Sequence, residues 1–198
     1  MILKNTKLRN KLKKIAKENK DLEDIILFGS SVRGKENPSD IDILVIFKEK
    51  INKNLEYDIR KTLEKEVRNI SIISKTKKTL KDPSFDARES YLSEGISLIT
   101  KEDIASTFGF SALGLFKYGT SRLKNLKKTK FYYALNGRGS EEGVAVKLGC
   151  IKLSNNILLV KRDKVEEIMI FFSSHEIDYS YMPILIPKRM NKKQILQK

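Results

Sequence analysis

Two apolar runs joined by a polar loop constrain this chain more than any other feature. Residues 24–28 (DIILF) run straight into Gly29-Ser30, and residues 41–47 (IDILVIF) follow directly on Ser39-Asp40. Both runs are short, rich in isoleucine and bounded by glycine, serine or proline, a pattern that predicts buried strands rather than helices. Side chains alternate between the two faces of a strand. Asp40, Asp42 and Leu44 therefore share one face, and Ile41, Ile43 and Val45 share the other.

Two carboxylates at i and i+2 on one side of a strand offer four oxygens to the same small volume. That suits magnesium, which takes oxygen ligands and shares its sites with phosphates. Gly29 lets the backbone come close to a phosphate, and Ser30 adds a hydroxyl donor. Nucleotidyl transfer needs little covalent help from a protein, because its barrier falls through positioning and through neutralising the triphosphate's charge. Asp-x-Asp alone, or Gly-Ser alone, is common in surface turns. Both together, between two apolar strands, form a specific signal.

The segment LFGSSVRGKENPSDIDILVIF resembles the nucleotidyltransferase superfamily related to DNA polymerase beta, in particular its minimal nucleotidyltransferase branch. The apolar strand, the Gly-Ser, the Arg33-Gly34 that follows and the Asp-x-Asp in a second apolar strand occur in that family's order. The match extends over residues 21–100 or so. It implies an α/β (α+β) fold, a nucleotidyltransferase-like mixed sheet flanked by helices. It implies Gly29, Ser30 and Arg33 as nucleotide-binding residues at the phosphates of a nucleoside triphosphate such as ATP, with a solvated loop arginine as the alternative reading of Arg33. Asp40 and Asp42 become the catalytic metal ligands for a pair of magnesium ions (Mg2+). The implied reaction moves a nucleoside monophosphate from an NTP to a hydroxyl on RNA, protein or a small molecule.

One departure bears on activity. The family usually carries a third carboxylate on the next core strand, and the aligned position in NISIIS is Ser71. Asp82, Asp86 and Glu89 are the acids of the following segment that could stand in. The resemblance thus also admits a catalytically weakened nucleotide- or nucleic-acid-binding protein. A further alternative is an antitoxin-like partner of a toxin, as small members of the superfamily are.

Elsewhere, apolar residues at helical spacing predict amphipathic helices over residues 5–20 and 54–68. Strands are expected over 70–73 and 96–99, and a helix between them closes at Gly95 in a left-handed C-cap. Residues 108–135 read as mainly helical, broken at Gly109, Gly114 and Gly119. Strands over 157–160 and 183–186 then flank a helix over 164–172. These elements predict a nucleotidyltransferase-like domain over 1–104 and a smaller accessory α/β domain over 105–198, for acceptor or nucleic-acid binding.

The 40 Lys+Arg against 25 Asp+Glu give a formal charge of +15, which attracts polyanions and makes nucleic acid the natural partner class for this basic surface. Arg122, Lys124, Lys127, Lys128 and Lys130 lie beside Phe131, Tyr132 and Tyr133, aromatics that serve either as stacking surfaces or as core. Gly137-Arg138-Gly139-Ser140 reads as a glycine turn with the makings of a phosphate site. A single cysteine and a single histidine exclude an intrachain disulfide and any site built from several such ligands, so a bound metal would be oxygen-liganded. No apolar run approaches the roughly 18 residues of a membrane span, and the first residues lack the apolar core of a secretory signal. The expected setting is cytoplasmic. Acceptor identity, nucleobase preference and oligomeric state have no signal in the sequence.

Overall fold

The computed structural model describes residues 2–35 and 39–190. The chain divides into two compact units, Met1–Phe108 and Gly109–Lys198.

In the first unit, helix α1 (Thr6–Glu18) begins where the Asn5 side chain accepts the Leu8 N–H, and α2 (Lys53–Glu64) begins with the same arrangement of Asn52 and Leu55. The sheet has the order β3-β2-β1-β4. Strands β1 (Leu22–Phe28) and β2 (Ile41–Phe47) are antiparallel, β3 (Ile70–Thr76) runs parallel to β2, and the short β4 (Ile96–Ser97) is antiparallel to β1. The sheet is therefore mixed. Helix α2 supplies the crossover that a parallel β2/β3 pair requires.

Alternation along these strands builds two cores. Ile25, Leu27, Ile43, Val45 and Phe47 pack against Leu8 and Leu12 of α1 and Leu55, Ile59 and Leu63 of α2. The opposite residues, Ile26, Phe28, Leu44 and Ile46, pack against Phe85, Tyr91 of α3 (Arg88–Glu94) and Ile104 of α4 (Ile104–Thr107). Burying side chains of this kind stabilises by about 1.5–3 kcal/mol each, which fixes the register of every strand. Gly95 does end α3, but its φ of −64° is not left-handed. Glycine stands there for space: a Cβ would collide with the Tyr91 carbonyl oxygen and lie 2.9 Å from Ile104 Cγ1.

The second unit departs from the helical expectation for residues 108–135. Its first half is a ten-residue strand, β5 (Phe110–Gly119), and only the second half is helix, α5 (Asn125–Asn136). A two-residue hairpin follows, β6 (Gly137–Arg138) and β7 (Glu141–Glu142), then the short α6 (Val144–Lys147). Strands β8 (Ile151–Ser154) and β9 (Ile157–Lys161), helix α7 (Val165–Ser174) and strand β10 (Asp178–Pro187) complete the unit. The four longer strands make an antiparallel sheet of order β10-β5-β9-β8.

Phe116 and Tyr118 of β5, Leu158 and Val160 of β9, Phe131 of α5 and Phe172 of α7 form its core. His175 is packed rather than poised: its ring lies 4.4 Å from that of Phe171, and Nδ1 sits 3.0 Å from the Phe171 carbonyl oxygen. Burial lifts the Cys150 thiol to about 11, which leaves it unreactive at neutral pH. Among the described residues, no helix is long and apolar enough to cross a membrane.

Gly114, read from sequence as a helix break, is a mid-strand residue with no room for a side chain. A Cβ there would meet Val165 Cγ2 at 2.8 Å and Tyr181 Cε2 at 2.9 Å. Gly114→Ala should therefore destabilise the second unit by about 1–3 kcal/mol, measured as a lowered urea midpoint.

Candidate functional site

The antiparallel register of β1 and β2 sets Phe28 opposite Asp42, so the turn leaving β1 meets the carboxylate entering β2. That turn is a single 3-10 turn, Gly29–Val32, held by the buried Ser31 hydroxyl donating to the Phe28 carbonyl at 3.0 Å. Gly29 has φ +74°, and a Cβ built on it would stand 2.5 Å from Asp42 Oδ2. Only glycine allows both the left-handed backbone and the close approach of this carboxylate. Ser30 is half-buried beside it, and its hydroxyl has no hydrogen-bond partner among the described residues.

Asp42 is half-buried and Asp40 exposed. Burial raises the Asp42 pKa, and the charge of Asp40 raises it further. The two carboxylates thus repel one another. Asp40 is held from one side by the Ser39 hydroxyl, which donates to its Oδ1 at 2.6 Å. Behind it, Asn69 adopts φ +54° just ahead of β3. Its Nδ2 donates to the Ser39 carbonyl at 3.0 Å, and its own carbonyl accepts the Ile41 N–H at 2.9 Å. Asn69 therefore clamps the backbone on both sides of Asp40. The sequence held a signal for it, since asparagine tolerates the left-handed region better than other side chains.

Arg33 leaves the turn toward α3. Its Nη1 donates to Oε1 of Glu94 at 3.0 Å, and the Glu94 side chain is only 6% exposed. This ion pair ties the glycine turn to α3. No local pattern in the sequence could reveal it, because 61 residues separate the partners.

Ser71 lies directly opposite Asp42 in the parallel β2/β3 register and is exposed. Among the described residues, no group of three His, Cys, Asp or Glu side chains comes together in a metal-binding arrangement. Of the acids considered as substitutes, Asp82 is turned onto its own loop, accepting from the Ser84 N–H at 2.9 Å and the Ser84 hydroxyl at 2.8 Å. The candidate site is thus two carboxylates, a glycine turn and a neutral Ser71.

A cavity of about 980 Å³ opens at the other end of the same sheet face, lined by Asp24, Lys77, Lys81, Arg88 and Tyr91 among others. Asp24 pairs with Ile46, four residues along β2 from Asp42. Its carboxylate accepts from the Ser97 hydroxyl at 2.8 Å.

Residues 10–103 match the family model described as polymerase beta, nucleotidyltransferase. This segment is a polymerase beta-type nucleotidyltransferase domain. No curated protein matches the chain at a significant level. Among solved structures, the chain is similar to the toxin–antitoxin MntA–HpeT in a mutant form, at 22% identity, covering 50% of this chain and 78% of that one, with a TM-score of 0.35. A toxin–antitoxin structure with AMP-PNP gives 23% identity, coverage of 50% and 83%, and a TM-score of 0.35. A tri-AMPylated Shewanella oneidensis HEPN toxin in complex with MNT antitoxin gives 20%, coverage of 51% and 76%, and 0.34.

Two outcomes test this geometry in the nucleotidyltransferase domain. Gly29→Ala should cost about 1–2 kcal/mol through its positive φ, read as a drop in unfolding free energy, and should displace Asp42. Asp24 gives a pH signature. Burial raises its pKa from 3.8 despite the Ser97 bond, so the folded state holds its proton more tightly than the unfolded chain. Stability attributable to Asp24 is intact below pH 3.8 and declines as pH rises through the raised folded value. Thermal melts across that window should show Asp24→Asn losing this part of the decline.

Proposed function

We propose that the nucleotidyltransferase domain transfers a nucleoside monophosphate from an NTP to a hydroxyl acceptor. The observation that carries this reading is the fit of Gly29 against Asp42: a glycine whose missing side chain lets the turn after β1 approach the Asp42 carboxylate. In this reading the triphosphate lies on the Gly29-Ser30 turn. The residues fit magnesium, because burial and, after it, the charge of Asp40 raise the Asp42 pKa, and a bound cation would counter both by favouring the ionised carboxylates. Asp40 and Asp42 would hold the ion, which supplies neutralisation of the triphosphate's charge.

The remaining work falls to the chain's own groups. Asn69 and Ser39 keep Asp40 oriented, and the Arg33–Glu94 pair keeps the turn in place. The acceptor oxygen forms a bond to the α-phosphorus, the bond to the β-phosphate oxygen breaks, pyrophosphate leaves and the hydroxyl proton passes to solvent.

Incubation with magnesium, each labelled NTP in turn and pools of RNA, protein and small-molecule acceptors tests the reading. Label should enter an acceptor, and Asp40→Ala with Asp42→Ala should lower the rate by about 10²-fold or more. Transfer that survives the double substitution would reject the assignment.

Ser71 supports a second reading, a domain that binds NTP and turns it over weakly, since the position beside Asp42 offers a hydroxyl and no charge. The two readings separate on Ser71→Asp. A third carboxylate there should raise the transfer rate if the wild type is limited by its absence. An unchanged or lower rate, with NTP affinity retained, means the pair suffices.

A further inference from the structure

The second unit contains a cavity lined entirely by its own residues. About 540 Å³ in volume, it lies between the end of β5, the second half of α5 and the turn joining β8 to β9. Tyr118 lines it, only 5% exposed, and the Tyr118 hydroxyl is buried with no hydrogen-bond partner among the described residues. Burial pushes that phenol up to about 12, so it remains a hydrogen-bond donor at any physiological pH. A buried hydroxyl without a partner is unusual, and one at a cavity wall marks where a ligand's polar atom belongs.

The charge around this cavity is one-sided. Lys128 and Lys152 line it and no carboxylate does. Neighbouring cations outside it are neutralised: Lys127 pairs with Glu176 at 2.7 Å and Arg122 with Asp178 at 2.9 Å. Lys152 Nζ donates to Asn136 Oδ1 at 2.8 Å and lies 5.6 Å from the centroid of the Tyr132 ring. Asn155, exposed in the β8/β9 turn, adds an amide. The cavity thus combines an aromatic face, amide edges and two cations that have no carboxylate partner among the described residues.

Phe131, read from sequence as either stacking surface or core, is core at 3% exposure. Tyr132 and Tyr133 are the reverse, 56% and 39% exposed on consecutive positions of α5. Their ring centroids are 5.9 Å apart, and Arg138 sits 4.9 Å from the Tyr133 centroid. A second cavity of about 410 Å³ lies on that side, lined by Tyr133, Arg138, Lys130 and Lys147 and also by the carboxylates of Glu141 and Glu142, so the cations outnumber the acids there by three to two. Two adjacent exposed rings, each with a cation over it, exceed what one small ligand would need.

We propose that this surface binds a single-stranded nucleic acid, with one nucleotide in the Tyr118 cavity. Its base stacks on Tyr132, its edge meets Asn136, Asn155 and the Tyr118 hydroxyl, and its phosphate meets Lys128 and Lys152. Tyr133 with Arg138 takes the neighbouring base. Stacking of this kind tolerates any base, because every base has a π-face. The site is independent of the transfer reaction and needs neither magnesium nor NTP.

Fluorescence anisotropy with a labelled ten-nucleotide RNA, on the full chain carrying Asp40→Ala and Asp42→Ala and without magnesium, tests the site apart from the first unit. Binding should weaken with salt. Tyr132→Ala should weaken it by roughly 5- to 100-fold, with the melting temperature unchanged. Lys152→Met should flatten the salt slope by about 0.7. Tyr118→Phe, which removes only the hydroxyl, should weaken binding without loss of stability. Three results would each overturn the proposal: equal affinity for a duplex of the same length, competition by AMP as strong as by the unlabelled strand, or unchanged affinity in Tyr132→Ala.

Discussion

The contact between the Gly29 backbone and the Asp42 carboxylate depends on three things at once. Strands β1 and β2 must pair so that Phe28 faces Asp42, residue 29 must accept a positive φ, and no side chain may occupy the space that Asp42 Oδ2 fills. The first requirement is met by packing. Ile25, Leu27, Ile43 and Val45 face α1 and α2, while Ile26, Phe28, Leu44 and Ile46 face Phe85, Tyr91 and Ile104, so a slip of one residue would turn Asp42 into the α1/α2 core. The apolar side chains of both layers thereby position a polar site. Asp42, half-buried and repelled by Asp40, sits where ionisation of a carboxylate is disfavoured, and the surrounding sheet holds it there.

Much of this was legible in the sequence because it is local. The run IDILVIF became β2 with the bounds its alternation implied, and Gly-Ser and Asp-x-Asp came together because a strand, a turn and a strand leave them nowhere else to go. The mixed sheet flanked by helices follows from the same elements. Interactions that close over long separations were not legible. The partner of Arg33 is Glu94, buried in α3, and nothing near Arg33 announces it. Asn69 could have been singled out from its tolerance of positive φ, yet its role depends on where β3 docks.

The second unit was harder for a different physical reason. Strand β5 alternates Phe116 and Tyr118 into the core, but its other face carries Leu113 and Leu115, so the hydrophobic pattern lacks a period of two. Its glycines then resemble helix breaks. Gly114 is instead demanded by Val165 and Tyr181, residues that come 51 and 67 positions later in the chain. In α5 the aromatic run divides by a single helical step: Phe131 turns inward while Tyr132 and Tyr133 stay in solvent. The sequence reading that left those rings between core and surface was right for different members of the same triplet.

The antiparallel ladder between β5 and β10 has a bearing on how the chain is made. Strand β5 is the first of its sheet to leave the ribosome and occupies a central place in it, yet one neighbour, β9, begins at Ile157 and the other, β10, only at Asp178. The first unit joins β1 to β2 across a short loop and can condense early, whereas β5 must wait with both edges unpaired until β9 is made and with one edge unpaired until β10 is. Non-local ladders close slowly, and an unpaired strand is a template for association. The interval between Gly119 and Asp178 is therefore when a nascent chain is most exposed to aggregation, and a block to elongation there would leave a folded nucleotidyltransferase domain trailing an unfinished sheet.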